Sequence, residues 1–155
     1  MKRIRSYFTL IGILCLTLLT ACEDNLYYTL YQDLPQKEWD SNEPLYFNIP
    51  PTEQEMDVAV TLGVRTTALF RYKDIVARAE LLDNDSVISS LPLTITLYQG
   101  EGLTQEGMLM HENYSKPQAL HMQANHNYAL RVTHLMRLNP LDEVQSVGII
   151  VENNP

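Results

Sequence analysis

The chain carries eleven Lys and Arg against nineteen Asp and Glu in 155 residues, a formal net charge of −8. That balance argues against nucleic acid as a partner, and it repels anionic membrane surfaces. With two cysteines in all, no disulfide framework is available, so an apolar core has to hold the fold.

Lys2, Arg3 and Arg5 precede a run from Tyr7 to Ala21 that holds no charge, the charged n-region and apolar h-region of an export signal. The run falls short of the roughly 20 apolar residues a transmembrane helix needs, and Glu23 and Asp24 end it. Leu19-Thr20-Ala21-Cys22 resembles a bacterial lipobox, in which small residues admit the peptidase and the cysteine thiol takes a diacylglycerol. Cys22 then becomes the mature N-terminus, carrying palmitate-type acyl chains. At about 0.8 kcal/mol per buried CH2 a single chain anchors marginally, whereas two or three hold. Cys15 leaves with the signal and Cys22 is lipidated, so no thiol remains to pair. The signal also takes three cations and no acid, which leaves the mature chain more acidic still. The expected organisation is a signal over 1–21, a lipidated N-terminus and tether over 22–26, and one domain over 27–155.

Past the tether, several runs are apolar at every second residue, the pattern of half-buried strands. In LYFNI, Leu45, Phe47 and Ile49 share one face. In DVAVTLGVR, Val58, Val60, Leu62 and Val64 oppose Ala59, Thr61, Gly63 and Arg65. Residues 66–82 allow two readings. Leu69, Tyr72, Ile75, Val76, Ala79 and Leu82 fit a helical stripe, while Ile75, Ala77, Ala79 and Leu81 fit a strand face with Arg78 and Glu80 outside. Alternation resumes with Leu93, Ile95 and Leu97, then with Tyr128, Leu130 and Val132, and finally with Val147, Ile149 and Val151. Turn-forming pieces separate the runs at Leu34-Pro35, Ile49-Pro50-Pro51, Asp83-Asn84-Asp85-Ser86, Gly100-Glu101-Gly102 and Asn139-Pro140. Short strands at this spacing predict an all-β antiparallel sandwich, jelly-roll-like or Ig-like.

Candidate functional residues are few. His111, His121, His126 and His134 fall in one stretch, but no pair has the i, i+4 helical or i, i+2 strand spacing that brings imidazoles together. No metal or other cofactor is therefore expected. No motif gathers a serine, a histidine and an acid, so no catalytic residue is assigned and an enzyme is not expected. Gly100-Glu101-Gly102 lacks the third glycine of a phosphate loop and reads as a hairpin turn. Trp39 is the lone tryptophan, in KEWDSNEP, with Tyr27, Tyr28 and Tyr31 upstream. It is a candidate contact for a glycan or a protein, against the plainer reading that it folds back over the open end of the sandwich. Arg131 and Arg137 are expected to stitch strands by pairing with Glu152 or Asp142, with Arg137 also a candidate partner contact.

The stretch NYALRVTHLMRLNPLDEVQSVGIIVE resembles the end of the gliding motility lipoprotein GldH family of Bacteroidetes. That family closes on a strand, a Met-Arg pair, a short loop, and an Asp-Val-Gly strand running into Val-Glu. The matching positions are Tyr128, Arg131, Met136, Arg137, Leu141, Val144, Val147, Gly148, Val151 and Glu152. Leu30-Tyr31-Gln32 and Trp39 resemble the family's tyrosine-rich opening and tryptophan, and LYFNIP its first core strand. Two departures stand out. No aromatic accompanies Gly100, Gly102 and Gly107 where the family has a tryptophan and glycine cluster, and His134 stands where it has Gln before the Met-Arg pair. By this resemblance Phe70 to Leu81 is a loop running into a strand.

The resemblance implies a non-enzymatic accessory of the envelope machinery for gliding and the associated type IX secretion system. It would be lipid-anchored in the outer membrane, with either leaflet open, and would act through contacts with other envelope proteins. A surface lipoprotein binding glycans through Trp39 and nearby tyrosines is the alternative, and an envelope hydrolase a third. Asp85-Ser86-Val87 resembles the O-glycosylation sequon of Bacteroidetes envelope proteins, which makes Ser86 a candidate modification site in a polar turn. Glu23 and Asp24, just after Cys22, resemble a surface-export signal for lipoproteins.

Overall fold

An alternating strand buries its apolar face only if a second layer covers it, and the chain folds so that two sheets cover each other. The structure, a computed structural model, describes residues 25–97 and 110–153. The signal segment, Cys22, Glu23, Asp24, the Gly100-Glu101-Gly102 turn and Gly107 lie outside those residues.

The strands are β1 (Leu26–Asp33), β2 (Glu38–Trp39), β3 (Leu45–Ile49), β4 (Met56–Thr67), β5 (Asp74–Asp83), β6 (Ser86–Thr96), β7 (Met110–Tyr114), β8 (Gln118–Met122), β9 (Tyr128–His134), β10 (Leu141–Asp142) and β11 (Val144–Asn153). One sheet runs β1-β11-β4, with β7 and β8 following one another along the free side of β4. The other runs β3-β9-β5-β6, and β2 and β10 form a small ribbon. Every pairing is antiparallel. With β7 and β8 counted as one interrupted strand, the chain passes between the sheets in jelly-roll order. A single apolar cluster joins the layers, with Phe47, Ile75, Ile95 and Val132 from one sheet and Val58, Val64, Val147 and Ile149 from the other.

Residues 74–83 are a strand, with Ile75, Ala77 and Leu81 buried and Arg78 exposed. The competing helical stripe arose because Leu82 is buried as well. The β5–β6 register shifts there, Leu81 pairing with Ser89 and Leu82 with Val87, so Ile88 is passed over. Ile88 is therefore the extra residue of a bulge in β6, and Leu82 is buried outside the apolar cluster that takes Leu81. The turn expected over Asp83 to Ser86 is tighter than that. Only Asn84 and Asp85 form it, with φ of 47° and 67°, the left-handed pair that closes a two-residue hairpin and that Asn and Asp tolerate. Ser86 is the exposed first residue of β6.

The N-terminal strand begins inside the expected tether, since Leu26 already pairs with Glu152. β1 shows no period of two because its tyrosines serve both sides of an edge strand. Tyr27 donates its hydroxyl to the Pro50 carbonyl at 2.9 Å, tying β1 to the other sheet. Tyr31 lies on the outer face instead. Tyr31, Gly148, Gly63 and Tyr114 stand in one row across the sheet, and the Tyr31 ring covers the two glycines. A Cβ at Gly63 would stand 2.2 Å from the Tyr31 hydroxyl oxygen, and one at Gly148 would stand 2.5 Å from the ring. Gly63, placed outside by the alternation, is thereby buried, and Thr61 on the same face is buried too. The Arg65 guanidinium sits 4.0 Å from the centre of the Tyr31 ring, and Glu112 accepts from Arg65 at 3.1 Å. Burial first, then the Glu112 carboxylate, pushes the Tyr31 phenol above its ordinary range.

The two ends of the sandwich differ. The Asn25 carbonyl accepts from Asn153, and Met56 pairs with Met122, so β1 begins at this end, as does the turn that precedes Ser86. The opposite end carries the β4–β5 loop, residues 68–73, and the β9–β10 loop, residues 135–140, with the β2–β10 ribbon beside them.

Candidate functional site

Trp39 and Arg137, two of the candidate residues, both lie at this far end, in different roles. Trp39 is 1% exposed. It pairs with Leu141 in the ribbon and meets the His134 ring edge-on, with centroids 5.3 Å apart. It closes the sandwich, in keeping with the plainer reading. Its indole is buried, which takes away the open face that a candidate contact for a sugar or a partner needs. Arg137 is exposed and makes no ion pair among the described residues. Arg131 does pair, but with Glu80, directly opposite on β5 at 2.7 Å, and not with Glu152 or Asp142. The strand register supplies an acid from 51 residues away in the sequence.

His134, the departure from the family pattern, braces the Met136-Arg137 turn. It is buried and accepts from the Met136 N–H at Nδ1, 3.3 Å away. That leaves its proton on Nε2, which donates to Asn139 Oδ1 at 3.0 Å. The Asn139 amide nitrogen donates in turn to Asp40 at 2.7 Å, and Asp40 also accepts from the Asn42 N–H at 2.8 Å. Those two donors, Asn42 first, hold the Asp40 carboxyl below the usual carboxylate range. Burial holds His134 below the usual imidazole range, only partly offset by Asn139, so the ring stays neutral as its hydrogen bonds require. The Leu135 N–H donates to the Val76 carbonyl at 2.7 Å, and Met136 Sδ accepts from the Val76 N–H at 3.4 Å. The turn is therefore tied to β5 as well as to the ribbon.

The other histidines are apart from this network. His121 bonds Asp57 at 2.8 Å and His126 bonds Asp83 at 2.8 Å. Among the described residues no three His, Cys, Asp or Glu side chains gather as metal ligands. A second feature lies on the open side of the sandwich, between β6 and β8, where Leu91, Leu93, Leu120 and Val60 line an apolar crevice of about 170 Å³. Sequence reading missed this crevice, because it depends on which strands the topology leaves unpaired. It also missed the exposed Leu69, Leu135 and Leu138 of the far end. A signal for these was present, since ALFRYK and LMRLNP each carry leucine and at least one cation but no acid.

The family model described as GldH lipoprotein matches residues 26–151, which takes in every strand of both sheets but for the last two residues of β11. The chain belongs to the GldH lipoprotein family. Membership gives a lipoprotein of the gliding-motility kind, attached to the cell envelope by lipid, in a family not known as enzymatic. No curated protein matches the chain. Among solved structures it is similar to a CocE/NonD family hydrolase from Staphylococcus aureus at 11% identity and a TM-score of 0.32, covering 83% of this chain and 31% of that one. It is also similar to a fructofuranosidase from Schwanniomyces occidentalis complexed with fructose, at 11% identity and 0.38, covering 87% and 35%. A third likeness is to a sugar-binding protein, the EclA C-terminal domain, at 12% identity and 0.33, covering 86% and 81%. This GldH-family chain thus spans about a third of the length of the first two. Likeness at such scores carries neither a substrate nor an activity to it.

Proposed function

We propose that this GldH-family chain is a non-enzymatic accessory of the gliding and type IX secretion-associated machinery, anchored through Cys22 in the outer membrane and working by contact with envelope proteins. The observation that carries this reading is the family match across both sheets, directly behind a lipobox-like Cys22. The histidine geometry supports a structural account of the titratable groups, since His121, His126 and His134 each spend a ring nitrogen on a fixed partner. The glycan-binding alternative relied on Trp39, and the burial of that residue takes away its principal contact.

The test is deletion of the chain in its host, scored by secretion of type IX cargo and, where the host moves, by spreading on a surface. Loss of either, restored by the intact chain, is the expected result. Normal secretion and normal movement in the deletion strain would sink the reading.

A further inference from the structure

The two sides of the sandwich are closed differently. On one side β1 is sewn to the facing sheet, since the Tyr27 hydroxyl donates to the Pro50 carbonyl at 2.9 Å and Gln32 Nε2 donates to the Tyr46 carbonyl at 2.6 Å. On the other side β7 comes close to β6, whereas β8, next along β4, leaves the crevice between itself and β6 open. Core side chains line that crevice, Leu62, Leu81, Leu130 and Ile149 among them.

β6 is the edge strand on this side and, among the described residues, pairs with β5 alone. The direction of its spare backbone groups follows from β5. The Val76 N–H and C=O both turn to the β9 side, toward Met136 Sδ and the Leu135 N–H, and in an antiparallel ladder this direction alternates from residue to residue. Arg78 therefore turns to β9 as well, so Pro92, which stands opposite Arg78, does not bond β5. The Leu97 N–H, donating to the Lys73 carbonyl at 2.8 Å, has the matching phase. Ser90, Pro92, Thr94 and Thr96 thus aim their backbone groups at the free edge, where Pro92 lacks only its donor. Leu91 and Leu93, between them, line the crevice. The edge also lacks the charges that keep natural edges apart. Ser86–Thr96 holds no Asp, Glu, Lys or Arg, and residues 86–92 are exposed throughout, Val87, Ile88 and Leu91 included. Of the usual guards it has Pro92 and the Ile88 bulge, which leave the edge regular from Ser89 onward.

We propose that the free edge of β6 takes an extended segment of another protein as an added strand. The segment bonds the spare groups of Ser90, Thr94 and Thr96 and seats alternate apolar side chains in the crevice. The unpaired ladder groups select this occupant, because a second extended backbone matches their spacing and direction. The crevice, at about 170 Å³, falls below the roughly 300–1,000 Å³ of small-molecule pockets and suits side chains. A second copy fits poorly. β1 and β6 begin at the same end of the sandwich, so antiparallel pairing of two β6 edges would point the two N-terminal anchors in opposite directions. The proposal rests on the envelope role above for where the partner is sought.

The experiment places the photoreactive p-benzoylphenylalanine at Ser89, which lines the crevice, in the full-length, anchored protein in host cells. Tyr114, exposed on the outer face of the other sheet, is the control position. The expected result is one protein adduct from Ser89 and not from Tyr114, whose crosslinked segment alternates apolar and polar residues. Thr94→Pro removes one free-edge donor and spares the β5 ladder, so it should lower the yield about tenfold, as loss of one hydrogen bond does. Thermal melts check that the variant folds. Leu91→Lys, which brings a charge to the mouth of the crevice, should lower the yield too, and it decides the matter if Thr94→Pro melts early. An adduct to lipid, to a second copy or to this chain's own residues overturns the proposal, as does no adduct, an equal adduct from Tyr114, or a yield indifferent to Thr94→Pro in a chain that melts normally. If deletion impairs secretion while the Thr94→Pro chain restores it and crosslinks normally, the added strand fails and the envelope role stands. If the adduct forms and responds to Thr94→Pro in a host whose deletion strain behaves normally, the envelope role fails and the added strand stands.

Discussion

Gly148→Ala is expected to destabilise the domain by about 3 kcal/mol, a large effect for one methyl group. The added Cβ would stand 2.5 Å from Cγ and Cδ1 of Tyr31 and 2.7 Å from the Leu30 carbonyl oxygen. Cγ is the root of the ring and the carbonyl belongs to the paired strand, so no terminal group can rotate aside. Relief requires Tyr31 to lift off the sheet, giving up the Arg65 contact, worth ~0.5–1 kcal/mol. It also requires β1 and β11 to spread, and overpacking of this kind costs ~1–3 kcal/mol. Gly63→Ala differs in kind, because its nearest contact is the Tyr31 hydroxyl oxygen, with Cζ at 3.0 Å. Tyr31→Phe removes that oxygen. Urea unfolding of the mature chain without lipid, followed by circular dichroism, should show Tyr31→Phe recovering most of the Gly63→Ala loss and little of the Gly148→Ala loss, a coupling that a double-mutant cycle isolates. A Gly148→Ala midpoint corresponding to less than ~0.5 kcal/mol of loss, or equal rescue of both alanines, would refute the account of Tyr31 as the cause.

His134 gives a pH dependence of known sign. Burial lowers its pKa in the folded state, so the unfolded chain takes the proton more readily. Its contribution is fully present above the ordinary value of about 6.5 and lost as pH falls through the lower folded value. The stability difference between wild type and His134→Gln should therefore shrink in urea midpoints taken from about pH 7.5 down to about pH 5, and a growing difference would contradict a neutral buried ring. Trp39→Ala should cost ~3–5 kcal/mol as a large buried aromatic. In the intact protein Trp39 emission should resist iodide quenching and stay unchanged on titration with oligosaccharides, and a saturable shift would restore the glycan reading. Cys22→Ala should move the chain from the detergent phase to the aqueous phase on phase partitioning, and partitioning unaltered by the substitution would remove the lipid anchor. If Ser86 carries a glycan, Ser86→Ala should shed its whole mass in intact-protein mass spectrometry, and a retained mass would place the modification elsewhere.

Much of the strand content was legible because the period of two is enforced wherever one face meets the core. Leu45, Phe47 and Ile49 do so in β3, and Tyr128, Leu130 and Val132 in β9, against exposed or half-buried neighbours. Legibility failed where a second constraint overrode the period. In β5 Leu82 is buried out of phase with Ile75, Ala77 and Leu81, which gave a false helical phase. In β4 and β11 the outer face is covered by Tyr31, so Gly63 and Gly148 are as buried as their apolar neighbours. β1 was invisible as a strand because its residues answer to the opposite sheet and to the outer row at once. For the candidate site, identity of residue types was readable while accessibility was not. Trp39 and Arg137 looked alike as contacts for a partner, and only the ribbon formed by β2 and β10 decides that one is sealed in and the other left out.

The stretch that carries the family resemblance is also the stretch that fixes the architecture. β9 lies between β3 and β5 in one sheet, β11 lies between β1 and β4 in the other, and the connection between them supplies Leu141 to the ribbon that covers Trp39. A strand with partners on both edges and a core on one face tolerates few substitutions, which gives Val147, Gly148 and Val151 a packing reason to be what they are. That reason covers Met136 too, whose sulfur accepts from Val76. It does not reach Arg137 or Leu138, which are exposed between residues that are held. An exposed leucine beside an arginine with no ion pair among the described residues adds nothing to the packing of the sandwich, so packing gives that pair no reason to be what it is.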